Sequence, residues 1–284
     1  MQALGTLAAA VAACAGIVFF GLDLAQAAVS ALPAAHQANV ALAETLLTLM
    51  IFGSLLAIAL IGGRIAGVRP LAPGRRPGIA VVVGLLVGGA GVAAAVGYAW
   101  LAGGLERGPG GGGSAHLLLW ASLLTLFAAG VEEVYFRGWL QPVLARRFGT
   151  APAILLSALA FAALHVMGGA RSATTLVNLF LGGMLFGLLA ARGGGIAGAV
   201  AAHWSWNWLE AIAFGLVPNP GVGSFGAIWD LELAGAARWG GSGEGLNASL
   251  AMTIALFALL VPFVILLRGR LLRFAPGPGP AAAE

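Results

Sequence analysis

Eight apolar runs, each near the length of a bilayer crossing, alternate with short polar segments along the chain. They fall near 3–22, 41–63, 78–102, 116–139, 151–168, 173–191, 194–215 and 248–267. A hydrocarbon core of about 30 Å takes roughly 20 apolar residues per helical crossing. The pattern therefore predicts an all-α, polytopic integral membrane bundle of about eight transmembrane helices, with any active site inside the bundle. The first run could be read as a secretory signal, since Leu24-Ala25-Gln26-Ala27 resembles a cleavage site. Its leading residues lack the positive charge that signals carry, which favours a retained helix.

Composition removes the soluble alternatives. Of 284 residues, 60% are hydrophobic and 8% charged, which is far from a water-soluble balance. A chain this apolar would not stay solvated as a disordered polymer either. The fourteen basic residues are all Arg, and they cluster between the apolar runs rather than forming a nucleic-acid footprint. With the N-terminus inside, the cytoplasmic segments collect Arg64, Arg69, Arg75, Arg76, Arg146, Arg147, Arg192, Arg268, Arg270 and Arg273, whereas the opposite side receives Arg107, Arg171 and Arg238. That asymmetry predicts both termini in the cytoplasm. The Arg-only, Ala- and Gly-rich composition suggests a high-GC bacterial source, hence an inner membrane. Cys14 is the single cysteine, so there is no disulfide framework and no Cys-based metal site.

The chain divides into N-terminal transmembrane helices at 1–110, a core at 116–215, an external loop at 216–247, and a last helix with a basic tail at 248–284, disordered from Pro276 to Glu284. Gly108–Gly113 reads as a flexible linker. Gly84 with Gly88 and Gly183 with Gly187 stand at the small-xxx-small spacing of closely packed helices. No internal repeat of the transporter kind is visible.

Charged side chains at mid-membrane cost about 2.5–3.5 kcal/mol each on insertion scales, so they mark function by default. Glu132, Glu133 and Arg137 lie in the fourth run. Glu133 and Arg137, four apart, share a helix face and can pair, while Glu132 is rotated by about 100° and free to point elsewhere. His165 ends Phe161-Ala162-Ala163-Leu164-His165, where a hydrogen-bonded structural histidine is the bland alternative. His203 and Asn207 share one face of the seventh run, and interhelical polar contacts are the alternative there. A rise of 1.5 Å per residue puts Glu132, His165, His203 and Asn207 near one level. An intramembrane carboxylate with an imidazole can activate water, and a second imidazole with an amide can stabilise an oxyanion. The reaction class is hydrolysis of a peptide bond within or beside the membrane.

Glu132-Glu133-Val134-Tyr135-Phe136-Arg137, the Phe161–His165 segment and His203-Trp204-Ser205-Trp206-Asn207 resemble the EExxxR, FxxxH and HxxxN motifs of the CPBP family of intramembrane proteases. That family includes the Rce1-type CAAX prenyl endopeptidases and the bacterial Abi, or bacteriocin self-immunity, proteins. The resemblance implies that Glu132 and His165 activate the attacking water, that His203 and Asn207 stabilise the oxyanion, and that Glu133 and Arg137 support the site. It implies a membrane-associated peptide or protein substrate, either prenylated and CAAX-type or a peptide in self-immunity or processing, with the lipid bilayer as surroundings and no nucleic acid. A metal-independent glutamic mechanism with no cofactor is the favoured reading. The alternative is a zinc site built from Glu132, His165 and His203, although the HExxH spacing is absent. A non-catalytic membrane scaffold and a proton-coupled transporter are the rival functions. Gly240-Gly241-Ser242-Gly243 looks like a rhomboid nucleophile motif, but it lies in a hydrophilic loop with no histidine after it. Glu210, seven after His203, borders the site or else reaches the outer interface; Glu44 and His36 read as interfacial, and Trp204, Trp206 and Trp208 as packing or an aromatic belt.

Overall fold

The computed structural model describes residues 2–33, 39–108, 113–166, 169–216, 223–240 and 243–271. His36, most of the Gly108–Gly113 linker, Pro218 and Pro220, Gly241 and Ser242, Arg273 and the Pro276–Glu284 tail lie outside them.

All eight apolar runs are helical. They form α1 (Gln2–Ser30), α2 (Val40–Ala66), α3 (Pro77–Leu101), α4 (Ala115–Glu133), α6 (Thr150–His165), α7 (Ala173–Gly193), α8 (Ala197–Asn207) and α9 (Leu250–Leu271), with the short α5 (Gln141–Phe148) continuing the fourth run. Among the described residues six stretches are long and apolar enough to cross a membrane, the fourth spanning Ala115–Phe148. The fifth run gives the shorter helix Thr150–His165, and the seventh is broken into α8 and a π-helix at Trp208–Ala213. A second π-helix, Val134–Leu140, joins α4 to α5. β1 (Leu105–Arg107), in the segment between α3 and α4, pairs antiparallel with β2 (Leu231–Leu233) of the external loop, with Glu106 opposite Glu232.

The outer surface is apolar, as a lipid-facing surface must be. Phe19, Ile61, Ile65, Leu86, Leu101 and Leu266 are each more than half exposed. Inside, one cluster joins α3, α7, α8 and α9 around Leu185, Leu188, Met252 and Leu256, and another joins α1, α2, α4 and α6 around Tyr135, Leu140 and Phe161. The first helix belongs to that second cluster through buried Ala10 and Cys14, and the Tyr135 hydroxyl donates to the Ala10 carbonyl at 2.5 Å. The small-residue pairs pack as their spacing predicts. A Cβ on Gly84 would stand 2.3 Å from the Gly198 carbonyl oxygen, and one on Gly88 would stand 2.2 Å from that of Ala202. Hence α3 and α8 touch backbone to backbone, which fixes α8 from behind.

One end of the bundle is basic. Arg146 donates to the Ala66 and Gly67 carbonyls at the end of α2, at 2.7 Å each, and Arg75 and Arg192 border one groove there. The opposite end carries β1, β2 and residues 223–249. The Ile228 and Trp229 amides donate to the Ile212 and Ala213 carbonyls, stitching the outer loop to the end of the second π-helix. The two clusters meet in the middle, and the polar side chains gather at that seam.

Candidate active site

Each motif lies at the end of an α-helix. Glu132 and Glu133 are the last residues of α4, His165 is the last of α6, and Asn207 is the last of α8 with His203 one turn before it. A helix end lets a side chain leave the regular stacking of a membrane bundle and face a space between helices. Glu132, His165, His203 and Asn207 all line one cavity of about 350 Å³. Its apolar wall includes Phe52, Leu124, Phe186 and Met252, and its roof comes from the outer loop through Gly243, Glu244 and Asn247.

Behind this wall runs a buried ionic chain. Arg137 Nη1 donates to Glu133 Oε1 at 3.0 Å, with both side chains fully buried. The sequence spacing predicted this pair. It did not predict that His203 Nδ1 lies 2.8 Å from the same oxygen. A carboxylate paired with a guanidinium can only accept, so His203 carries its proton on Nδ1, and Nε2 faces Glu132 Oε2 at 3.8 Å. That separation leaves the Glu132 oxygen without a direct hydrogen-bond partner and is long enough for one intervening water. The His203 ring is further held by stacking on Phe186, with centroids 4.7 Å apart and planes within 17°.

Arg137 is the anchor of the chain. Its Nη2 donates to the Gly183 carbonyl at 2.8 Å, and the guanidinium carbon sits 4.8 Å from the centre of the Phe161 ring, with Phe136 and Phe186 also in reach. Aromatic faces stabilise a desolvated cation without adding charge. Gly183 lets α7 come close to α6 at this point: a Cβ there would lie 3.0 Å from the Ala158 Cα, a tight contact. The small-residue spacing on α7 thus serves packing and gives the arginine an acceptor.

His165 is oriented locally. Its Nδ1 lies 2.8 Å from the carbonyl oxygen of Phe161, four residues earlier. A carbonyl only accepts, so Nδ1 again holds the proton and Nε2 is left as a base. The Phe161 ring touches both imidazoles, 4.5 Å from His165 and 6.0 Å from His203 between centres.

Zinc would require Glu132, His165 and His203 to converge on one ion. Among the described residues no three His, Cys, Asp or Glu side chains stand close enough to hold one. As arranged, the residues do not form a ligand set for zinc.

Other polar residues take clear places. Asn178 donates to the Asn247 and Ser249 carbonyls and accepts from Thr253, clasping the outer loop to α7 and α9. Glu244 accepts from the Arg171 and Ser172 amides ahead of α7, closing the same roof. No signal in the sequence marked either contact. Trp204 and Trp208 donate to Ser122 on α4, which is the packing role expected of them, whereas Trp206 lines the cavity. Glu44 accepts from Ser224. Glu210 borders the site: it is 1% exposed and lines the cavity.

An apolar, helix-built shell around a carboxylate, two imidazoles and an amide defines a polytopic membrane protein with a buried polar centre. Residues 114–209, about a third of the chain, match the family described as type II CAAX prenyl endopeptidase Rce1-like. The matched segment holds all three motifs, and it supports the CPBP and Rce1-type resemblance read from them. No curated protein matches the chain.

Proposed function

We propose that this protein is an intramembrane endopeptidase that hydrolyses a peptide bond of a membrane-associated protein with water activated by Glu132 and His165, without a metal. The observation that carries the reading is the convergence of Glu132, His165, His203 and Asn207 on one cavity inside an apolar shell. The Rce1-like match at 114–209 supports the protease class and, through it, a CAAX-type substrate in the bilayer.

Glu132 takes a proton from a water held near His165 Nε2, and the hydroxide adds to the scissile carbonyl carbon. The resulting oxyanion accepts from the Asn207 amide and from His203 Nε2 once that nitrogen is protonated. His203 lies between two carboxylates, Glu132 at 3.8 Å and Glu133 at 2.8 Å, so it can carry that second proton without facing an unbalanced field. When the C–N bond breaks, the proton held by Glu132 passes to the departing amine. Each oxyanion donor is worth about 2.7–4 kcal/mol in comparable acyl-transfer sites. Helix α8 displays His203 and Asn207 on one face, and backbone contact with α3 keeps it from shifting. The arginine-rich end of the bundle is then the cytoplasmic face, with both termini on that side.

The test is cleavage of a fluorogenic membrane-peptide library, including a farnesylated CAAX peptide, by the purified protein in detergent. Turnover that is abolished in Glu132→Ala and unchanged by a chelator is expected. Turnover lost on chelation and restored by zinc would replace the mechanism with the metal-dependent one. A folded protein that cleaves nothing would overturn the protease reading in favour of a scaffold or transporter.

A further inference from the structure

Glu210 is the buried charge that the proposed mechanism leaves unused. It sits in the π-helix just beyond Asn207, is 1% exposed, and lines the same cavity as the motif residues. Oε1 of its carboxylate has no hydrogen-bond partner among the described residues. A carboxylate oxygen buried without a donor is costly, and such an atom persists where a ligand supplies what the protein withholds.

The remaining lining narrows what that ligand is. Glu132, Glu210 and Glu244 contribute carboxylates to the wall, and no described Arg side chain does. Glu244 is engaged with the amides of Arg171 and Ser172, and Glu133, behind the wall, is balanced by Arg137. Apart from the two imidazoles, the ionisable groups of the lining are therefore carboxyls, set in low-dielectric walls that strengthen any charge they carry. Such a cavity repels an anionic group and draws in a cation. Helical rise places Glu210 about 10 Å along the helix from His203 and about 4.5 Å from Asn207. An extended peptide advances about 3.3–3.6 Å per residue, so the two oxyanion donors bracket a span of roughly one to three substrate residues.

We propose that Glu210 is a specificity-determining residue of this cavity, receiving the cationic side chain of a Lys or Arg about one to three residues from the scissile bond. The assignment rests on the protease reading for its register along the substrate, but the cation subsite itself is a matter of binding. Its chemistry is one charge-assisted hydrogen bond from an ammonium or guanidinium to Oε1 inside an apolar shell. Phe52, Leu124 and Met252 would cover the methylene stem of that side chain, which suits a long side chain with a charged tip.

The experiment is a binding scan in detergent on full-length Glu132→Gln protein, so that no turnover intrudes. Fluorescently labelled apolar peptides carry one Lys, moved position by position, each compared with its norleucine counterpart by anisotropy. Lys should bind roughly tenfold tighter or better at one position, the worth of a hydrogen bond to a charged group. Adding Glu210→Gln should bring the Lys-to-norleucine ratio to about one while norleucine binding persists, and Glu210→Asp should restore part of it. A flat scan, or a preference that survives Glu210→Gln, overturns the assignment. Because the scan reads binding, a Lys preference without cleavage by the wild type would uphold the subsite and sink the protease reading, whereas cleavage with a flat scan would do the reverse.

Discussion

The two π-helical segments follow directly on motif residues, and each buries one side chain of an acidic or basic residue. In Val134–Leu140 it is Arg137, paired with Glu133 and surrounded by three aromatic rings. In Trp208–Ala213 it is Glu210, whose Oε1 finds no donor. A π turn widens the helix by one residue and reorients side chains relative to the helix before it, and such turns are frequent at functional sites. The same local device thus serves two ends. The first buries a cation against protein groups and so braces His203 through Glu133, while the second turns an acid towards space that a substrate would fill. A charge matched by the protein is structural; a charge left unmatched at the same depth points to a ligand.

The sharpest way to break this comparison is to remove the matched cation. Arg137→Met should leave Glu133 as an uncompensated buried carboxylate, a change that typically costs about 3–5 kcal/mol. A large drop in the thermal unfolding midpoint in detergent is expected. A variant as stable as the wild type would show that the Glu133–Arg137 pair does not hold the seam between the two hydrophobic clusters.

That pair was legible in the sequence because four residues along one helix bring side chains together whatever the rest of the fold does. The same logic placed His203 with Asn207, and the helical rise put all four motif residues at one level. The eight apolar runs returned as helices for the same reason, since length and hydropathy are local properties. Contacts between segments were not legible. The 2.8 Å bond from His203 to Glu133 joins residues 70 apart, and it depends on how α8 packs on α4, which no spacing encodes. The π turns were hidden too, because their sequences keep the same apolar character as the helices they interrupt. This is why the seventh run is continuous in the sequence but ends its α-helix at Asn207. The roof over the cavity is a third case: Asn178, Glu244 and Asn247 act through backbone partners, for which the sequence carries no residue-specific mark.

A finer test separates bracing from burial. Glu133→Gln keeps an oxygen for Arg137 but removes the charge that fixes the proton of His203 on Nδ1. The ring is then free to turn, and its doubly protonated form loses the carboxylate that balances it from the Nδ1 side. Loss of one aligned oxyanion donor lowers turnover by about 10²- to 10³-fold in comparable sites. The measurement is kcat on the best peptide of the library, with KM as the control, since a donor used only in the transition state changes kcat and leaves ground-state binding alone. An equal rise in KM with kcat intact would mean that Glu133 shapes the cavity rather than orienting His203.

The smallest expected effect lies at the unmatched charge. With no ion pair at Glu210 Oε1, replacing Glu210 with the isosteric Gln breaks no salt bridge of the folded state. The unfolding midpoint should then fall far less than in Arg137→Met. Binding of a Lys-bearing peptide should fall all the same. Stability and recognition would part company at Glu210 but fall together at Arg137, because only at Arg137 does the protein itself complete the interaction. A Glu210→Gln protein as unstable as Arg137→Met would mean that the second π-helix uses its charge as the first does, within the fold, and the distinction between the two segments would collapse.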